Sequence, residues 1–294
     1  MATAMVVGYV GIPDAVRAVD PVTHWVAVSG DESGTGSSCT DPGYVGTTQA
    51  VIVEAVEAAA EGDTIHICSG KYLYGADVDF SDSIPDNVTI EGDGPTSTIL
   101  DGARTFFVLA FDHVSGIWIR DIGIYRGYDD LGGGVWIGQS DFTLDNVRFM
   151  WNHAGTDGGG ALYVTESTGV VQNSYFRGNG SEWGGAIVSE GSELDVTNSI
   201  FQANYTDLQV DDTQPDYGGA AIYVYGGSVH VSGSDFLNNR TSNYSAGGAI
   251  HLFSGSLHVE NSRFLRNSAY QGGAIFLYGD ALDYDDGEIG RAHV

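Results

Sequence analysis

A parallel β-helix, an all-β solenoid with three short strands in each coil, is the architecture this 294-residue sequence specifies. A block recurs five times along it. Phe149-x-x-Asn152 precedes Gly159-Gly160-Ala161-Leu162, and Phe176-x-x-Asn179 precedes Gly184-Gly185-Ala186-Ile187. Phe201-x-x-Asn204 precedes Gly218-Gly219-Ala220-Ala221-Ile222, Phe236-x-x-Asn239 precedes Gly247-Gly248-Ala249-Ile250, and Phe264-x-x-Asn267 precedes Gly272-Gly273-Ala274-Ile275. Successive phenylalanines stand 27, 25, 35 and 28 residues apart. Between these landmarks polarity alternates with period two, which marks strand rather than helix. The unit is too short for a four-stranded propeller blade, and it lacks the leucine offsets and helix of a leucine-rich repeat. A coil this small buries its inner face only by stacking on its neighbours.

The elements follow in chain order. The apolar run within Met1–Val10 is short and has no basic residue before it, so it is not expected to be a signal peptide. Residues 1–64 are expected to supply a strand, a loop and a helical cap over the open end of the solenoid. The helix is placed at Thr48 to Glu61, with Thr47 or Thr48 as N-cap, an apolar stripe of Ile52, Val56, Ala59 and Ala60, and Gly62 at C′. Thr64 to Cys68 is then the first strand of a β-helix over residues 65–287. Asn87–Gly92 and Gly116–Arg120 belong to earlier, less regular coils. About eight coils, at roughly 4.8 Å each, make a rod somewhat under 40 Å long. Cys39 and Cys68 flank the helix; a disulfide between them would fasten the cap and suit an exported protein, against the alternative of two separate thiols. Residues 288–294 read like a translated sequencing adapter, so the β-helix is expected to run past 287 in the natural chain.

Alternation along the strands assigns the interior. Leu257 and Val259 share a face opposite His258 and Glu260, and Leu194/Val196 repeat the pattern. Extended by one step, it turns Asn146, Asn173, Asn198 and Asn261, each three residues before its phenylalanine, into a ladder of inward amides that Gly233 interrupts. Phe149, Phe176, Phe201, Phe236 and Phe264 form a second inward ladder. The paired glycines are expected to supply positive φ at a corner.

Charge and composition restrict the partners. The net charge of −28 repels nucleic acid and anionic lipid. Aromatic residues make up 11% of the chain, which supports a packed core and argues against disorder. No apolar run reaches the 18 or so residues of a membrane span, so no membrane insertion of this segment is expected. The outward row after the glycine corners, Tyr163, Val188, Tyr223, His251 and Phe276, is the candidate binding surface, since stacked aromatics suit sugar rings. The 35-residue spacing contains an insertion from Asp207 to Tyr217, a loop whose Asp211 and Asp212 are the second candidate; calcium is the ion such oxygen ligands would take, and no other cofactor is expected. His230 and His258, one coil apart with Asp195 before them, read as an exposed strand face rather than a metal site.

The Phe-x-x-Asn/Gly-Gly-Ala-Ile block resembles the repeat of the polymorphic outer membrane proteins, over roughly residues 140–280. Gly62-Asp63-Thr64-Ile65-His66-Ile67-Cys68-Ser69-Gly70-Lys71-Tyr72 behind an alanine-rich helix is similar to the start of secreted proteins of the pectin-lyase-like superfamily. The resemblance implies a right-handed parallel β-helix located outside the cell or on its outer membrane surface, and it carries over no catalytic residue. A polysaccharide lyase would need a Lys or Arg base beside calcium carboxylates, and Lys71, Arg120, Arg148 and Arg177 show no such setting. A hydrolase needs paired carboxylates; the pairs Asp129-Asp130, Asp211-Asp212 and Asp285-Asp286 lack the accompanying motifs of the polygalacturonases. The expectation is therefore a monomeric, non-catalytic adhesive module for a glycan or cell-surface ligand, with a polysaccharide lyase or glycoside hydrolase as the alternative.

Overall fold

The computed structural model describes residues 20–30, 35–81, 84–207, 217–242 and 245–278. Asp211, Asp212 and the 288–294 tail lie outside them. All pairings between the strands are parallel, and the chain winds as a β-helix. One sheet of eight stacked strands includes the five that carry the phenylalanines, a fourteen-stranded sheet makes two further faces, and four short strands line one corner. This is about seven full turns. The winding starts ahead of Thr64: Thr23–Ala27 pairs in register with Thr64–Ile67 and forms its first rung.

Single residues of positive φ turn each coil. One corner uses Gln139, Glu166, Gly191 and Gly226; the next uses Asn146, Asn173, Asn198, Gly233 and Asn261, with φ between 49° and 60°. A third follows each phenylalanine strand at Trp151, Gly178, Ala203, Asn238 and Arg266. One glycine at each corner, Gly159, Gly184, Gly219, Gly247 and Gly272, also has positive φ, as the repeat predicts; it is the first of its pair except at Gly218-Gly219, where an extra alanine follows and it is the second. In the other pairs the second glycine has a different job. A Cβ on Gly160, Gly185 or Gly248 would collide with a carbonyl of the neighbouring coil.

The columns inside the rod follow from this register. Phe149, Phe176, Phe201, Phe236 and Phe264 are directly opposite one another, with ring centroids 4.6–4.8 Å apart and near-parallel planes. Each such pair adds about 0.5–1.5 kcal/mol beyond its area burial. The asparagine ladder is in a different place from the one the alternation predicts. Asn146, Asn173, Asn198 and Asn261 sit exposed at their corner, where Asn146 and Asn173 donate outward to Asp121 and Asp145 of the preceding coil. The strand ends one residue earlier, and the left-handed turn rotates the next side chain out of the period-two pattern. The inward amides are Asn152, Asn179, Asn204, Asn239 and Asn267, the last residue of each Phe-x-x-Asn. The first four donate each to the next at 2.9–3.1 Å, and the Oδ1 of each of the last four also accepts the backbone N–H of the Asn before it, while Asn152 Oδ1 accepts from Gly127 N–H.

The helix spans Ala50–Glu57, shorter than expected, and buries Val51, Ile52, Ala55 and Val56 against the first rungs. Gln49 is its N-cap, without a side-chain hydrogen bond. Thr48 stands one residue before it, in a parallel bridge with Leu73. Gly62, at φ 83°, lies beyond C′ in the turn that Asp63 N–H closes onto the Ala60 carbonyl. Ala60 is exposed rather than on the apolar stripe. The Cys39–Cys68 disulfide is present, with Cα atoms 5.7 Å apart, and ties the loop before the helix to the strand after it.

Candidate functional site

The row Tyr163, Val188, Tyr223, His251 and Phe276 does line up across successive strands, opposite the inward Leu162, Ile187, Ile222, Ile250 and Ile275. It is not an exposed platform. Tyr163, Tyr223 and His251 are buried, and Phe276 is partly so. A second apolar cluster covers them with Leu131, Trp136, Trp183 and Phe253. The cover comes from several coils: Leu131 and Trp183 reach over from corner segments, and Trp136 and Phe253 from strands of the same sheet. Trp183 is held there by its indole N–H, which donates to the Thr156 carbonyl at 3.0 Å, while its ring packs 5.1 Å from that of Tyr223. Tyr163 donates its hydroxyl to Glu190 at 2.5 Å; burial, then that carboxylate, pushes its phenol pKa up. His251 lies edge-on between Tyr223 and Phe276 at 5.1 Å from each. Neither of its ring nitrogens completes a hydrogen bond among the described residues. The Tyr217 backbone is near enough to favour the charged ring, but burial dominates and pushes His251 down to about 4.

The exposed chemistry is at the corner built by Tyr128–Leu131, His153–Gly158, Gly180–Ser181 and Tyr205–Thr206. Tyr128, His153, Gly180 and Tyr205 occupy one register position on four successive coils. The Tyr128 and His153 rings stack at 5.7 Å with a 10° tilt, and Tyr205 follows at 6.4 Å. Gly180 makes that sequence of rings possible, because a Cβ there would strike the Tyr205 ring. Tyr128 is 42% exposed. This column therefore has the geometry expected of the other row.

Carboxylates crowd the same corner. Burial raises the pKa of Asp129, opposed by a backbone hydrogen bond from Asp130 and reinforced by the charges of Asp77 and Asp130. Burial also raises Glu182, with the charges of Asp207 and Asp157 adding to it. Asp207 Oδ2 lies 3.8 Å from His153 Nε2. Elsewhere burial is outweighed by partners. Asp101 accepts from Arg126 at 2.9 Å, with Lys71 Nζ 2.7 Å away, and Glu91 accepts from Arg120 at 2.8 Å, with His66 Nδ1 also 2.8 Å away; both carboxyls are held below their usual range. Those are satisfied structural networks. At the corner, burial and neighbouring carboxylates act together on Asp129 and Glu182, which makes these two candidate proton-holding groups.

Sequence reasoning had Asp129-Asp130 as a pair but missed Tyr128, His153, Tyr205, Asp157, Glu182 and Asp207. The signal was in the repeat, because His153, Gly180 and Tyr205 each follow an inward Asn. A shallow depression of about 230 Å³ lies on another face, bounded by Trp118, Asp141, Thr143 and Val170 among others. The Arg120 guanidinium sits 5.1 Å over the Trp118 ring. Cys39, His66 and Cys68 converge at the cap, but both sulfurs are spent in the disulfide, so they form no metal centre.

Residues 110–282 match the family model described as a right handed beta helix region. Among solved structures the chain is similar to pectin methylesterase PemA from Erwinia chrysanthemi, with a TM-score of 0.54 at 10% identity over 92% of each chain. It is also similar to a pectin methylesterase in complex with hexasaccharide VII, with a TM-score of 0.52 at 10% identity over 92% of each chain. At this identity the likeness is one of fold. No relative was found among curated proteins.

Proposed function

The chain belongs to the right-handed β-helix family, and from that premise we propose that it is a secreted or cell-surface polysaccharide-binding module that engages glycan along the acidic corner of the rod. One observation carries the reading. Tyr128, His153 and Tyr205 form a partly exposed aromatic column running along the winding axis, flanked by carboxylates that accept hydrogen bonds. Flat rings beside hydroxyl-binding groups are what pyranose recognition requires. The resemblance to adhesin repeats, the hexasaccharide bound by a neighbour of the same fold and a disulfide suited to an oxidising compartment support the placement.

The charge narrows the ligand. With a net charge of −28, a polyuronate is repelled unless a cation bridges it, so neutral or amino-sugar polymers are the preferred class. Calcium is the ion that would offset the mutual repulsion of the corner carboxylates. A panel of xylan, mannan, chitosan, esterified pectin and polygalacturonate, run by affinity electrophoresis with and without calcium, tests this. Retardation by neutral or amino-sugar polymers, with polygalacturonate bound only when calcium is present, is the expected pattern. Retardation by none of them would end the proposal.

The raised carboxyls Asp129 and Glu182 favour a second reading, a carbohydrate-active enzyme in which one of them holds a proton for transfer. Release of reducing ends, unsaturated ends or methanol from the same panel, abolished in Asp129→Asn or Glu182→Gln, would replace binding by catalysis.

A further inference from the structure

The rod is acidic as a whole, yet its cations are concentrated on one side. Nine lysine and arginine residues lie within the described chain, and seven of them share that side. Lys71, Arg148, Arg177 and Arg263 point outward from the eight-stranded phenylalanine sheet, and Arg104, Arg126 and Arg266 stand in the corner that follows it. The strands of this sheet carry two carboxylates, and both are taken. Asp101 is held by Arg126 and Lys71, and Asp235 by Arg263 at 2.7 Å. From Gly123 to Gln202 its strands contain no acidic residue, and Arg148 and Arg177 form no ion pair among the described residues.

Aromatic rings surround these two unpaired cations. The Arg148 guanidinium sits 5.0 Å over the ring of Tyr175, which stands two residues before Arg177 on the same strand, and Arg148 Nε is buried without a partner. Strand spacing and rise put the Arg148 and Arg177 Cα atoms about 8 Å apart, within the reach of two long side chains. Trp151, in the corner, is 48% exposed. Its ring lies against Gly178, the residue after Arg177, where an added Cβ would come 2.8 Å from the indole. Tyr125 meets the Trp151 ring edge-on at 6.1 Å.

Guanidinium and indole N–H groups donate hydrogen bonds and cannot accept them. The hydroxyls of a neutral sugar need acceptors as well, so a surface of donors selects a group that only accepts. A carboxylate presents two coplanar oxygens and is met by one guanidinium fork. Two guanidiniums on adjacent strands, with an indole at the corner, suit the three non-coplanar oxygens of a sulfate ester. We propose that Trp151, Arg177 and Arg148 bind one sulfated sugar residue, its pyranose ring on the exposed indole and its sulfate held by the guanidiniums. This site is separate from the acidic corner and does not rest on the reading given for it. A single sulfate brings little long-range repulsion from the rest of the rod, because screening acts beyond about 8 Å at 0.15 M salt.

Titration of the full, isotope-labelled chain with N-acetylglucosamine sulfated at its primary hydroxyl, and with the unsulfated sugar, tests the site by nuclear magnetic resonance. The Trp151 indole N–H signal, assigned by its loss in Trp151→Phe, should shift with the sulfated sugar alone, and the affinity should fall as sodium chloride is raised. Arg177→Gln should weaken binding at least tenfold, and Arg148→Gln by a smaller factor. Arg177 is exposed, so the circular dichroism of its variant should match that of the parent, and it carries the test alone if Arg148→Gln does not fold. Arg177→Gln should also keep the parent's retention by neutral polymers; loss of that retention would make the two sites one and overturn the proposal. Equal shifts with the two sugars, tighter binding of methyl glucuronide than of the sulfated sugar, unchanged affinity in Arg177→Gln, or no shift in the parent up to about 10 mM sugar (tenfold above a weak affinity of ~1 mM) would overturn it as well.

Discussion

Asn204 shows how single side chains tie the coils. Its Oδ1 accepts the backbone N–H and the amide of Asn179, and its own amide donates to the Phe176 carbonyl and to Asn239. Asn204→Ala strands these buried partners at about 1–3 kcal/mol each, partly relieved by relaxation. We expect a loss of about 3–5 kcal/mol in denaturant unfolding. Asn198→Gly should change stability by less than about 0.5 kcal/mol, because Asn198 is exposed and Gly233 occupies the same corner one coil on with φ 60°. Equal losses for the two would return the ladder to the wrong asparagines. His251 sets a pH dependence. Its folded pKa of about 4 lies below the ordinary 6.5, so the unfolded chain binds the extra proton between those values. The stability that His251 contributes is therefore complete above pH 6.5 and lost as pH falls toward 4, by about 3 kcal/mol in all. His251→Phe should flatten that part of the stability–pH curve; a parent and variant with parallel curves would contradict the burial of the ring.

Among the elements, the cap and the corners carry the next tests. The disulfide closes a loop across a sequence separation of 29, which corresponds to about 3–4 kcal/mol of restricted unfolded chain. Cys39→Ser/Cys68→Ser should lower the melting temperature without altering the β-sheet spectrum, and reductant should lower that of the parent to match; no change in either experiment would remove the disulfide from the account of the cap. How much could be read from sequence divides along the same lines. The strands and the phenylalanine column were legible, because spacing and alternation act within one strand and pair it with the next. The asparagine ladder was misplaced because alternation was carried one residue past a strand end, and a left-handed residue resets it. The binding surface was misplaced for a different reason. Tyr163 and Tyr223 do point away from the coil, but Leu131 and Trp183, which cover them, come from corner segments of variable length that no period describes. The helix boundaries were misplaced at both ends, with the N-cap at Gln49 rather than Thr47 or Thr48 and the last helical residue at Glu57 rather than Glu61.

At the scale of the whole molecule, a net charge of −28 on one rod is a source of self-repulsion. The screening length falls from about 30 Å at 0.01 M salt to about 8 Å at 0.15 M. Stability should rise over that range for sodium chloride, as it would for a protein from a saline setting; a flat or falling dependence would mean that the charges are already neutralised by their local partners. The same field makes the choice of ligand surface decisive, since both candidate aromatic rows lie on one acidic rod and only one of them is open. Binding to a retained neutral polymer, measured beside thermal melting for Tyr128→Ala/Tyr205→Ala and for Tyr223→Ala, separates them most directly. The first variant should lose at least tenfold in affinity at an unchanged melting temperature, and the second should lose about 3–5 kcal/mol of stability while its folded fraction binds normally. The opposite assignment, binding lost with Tyr223 and retained without Tyr128 and Tyr205, would contradict the corner as the site of recognition.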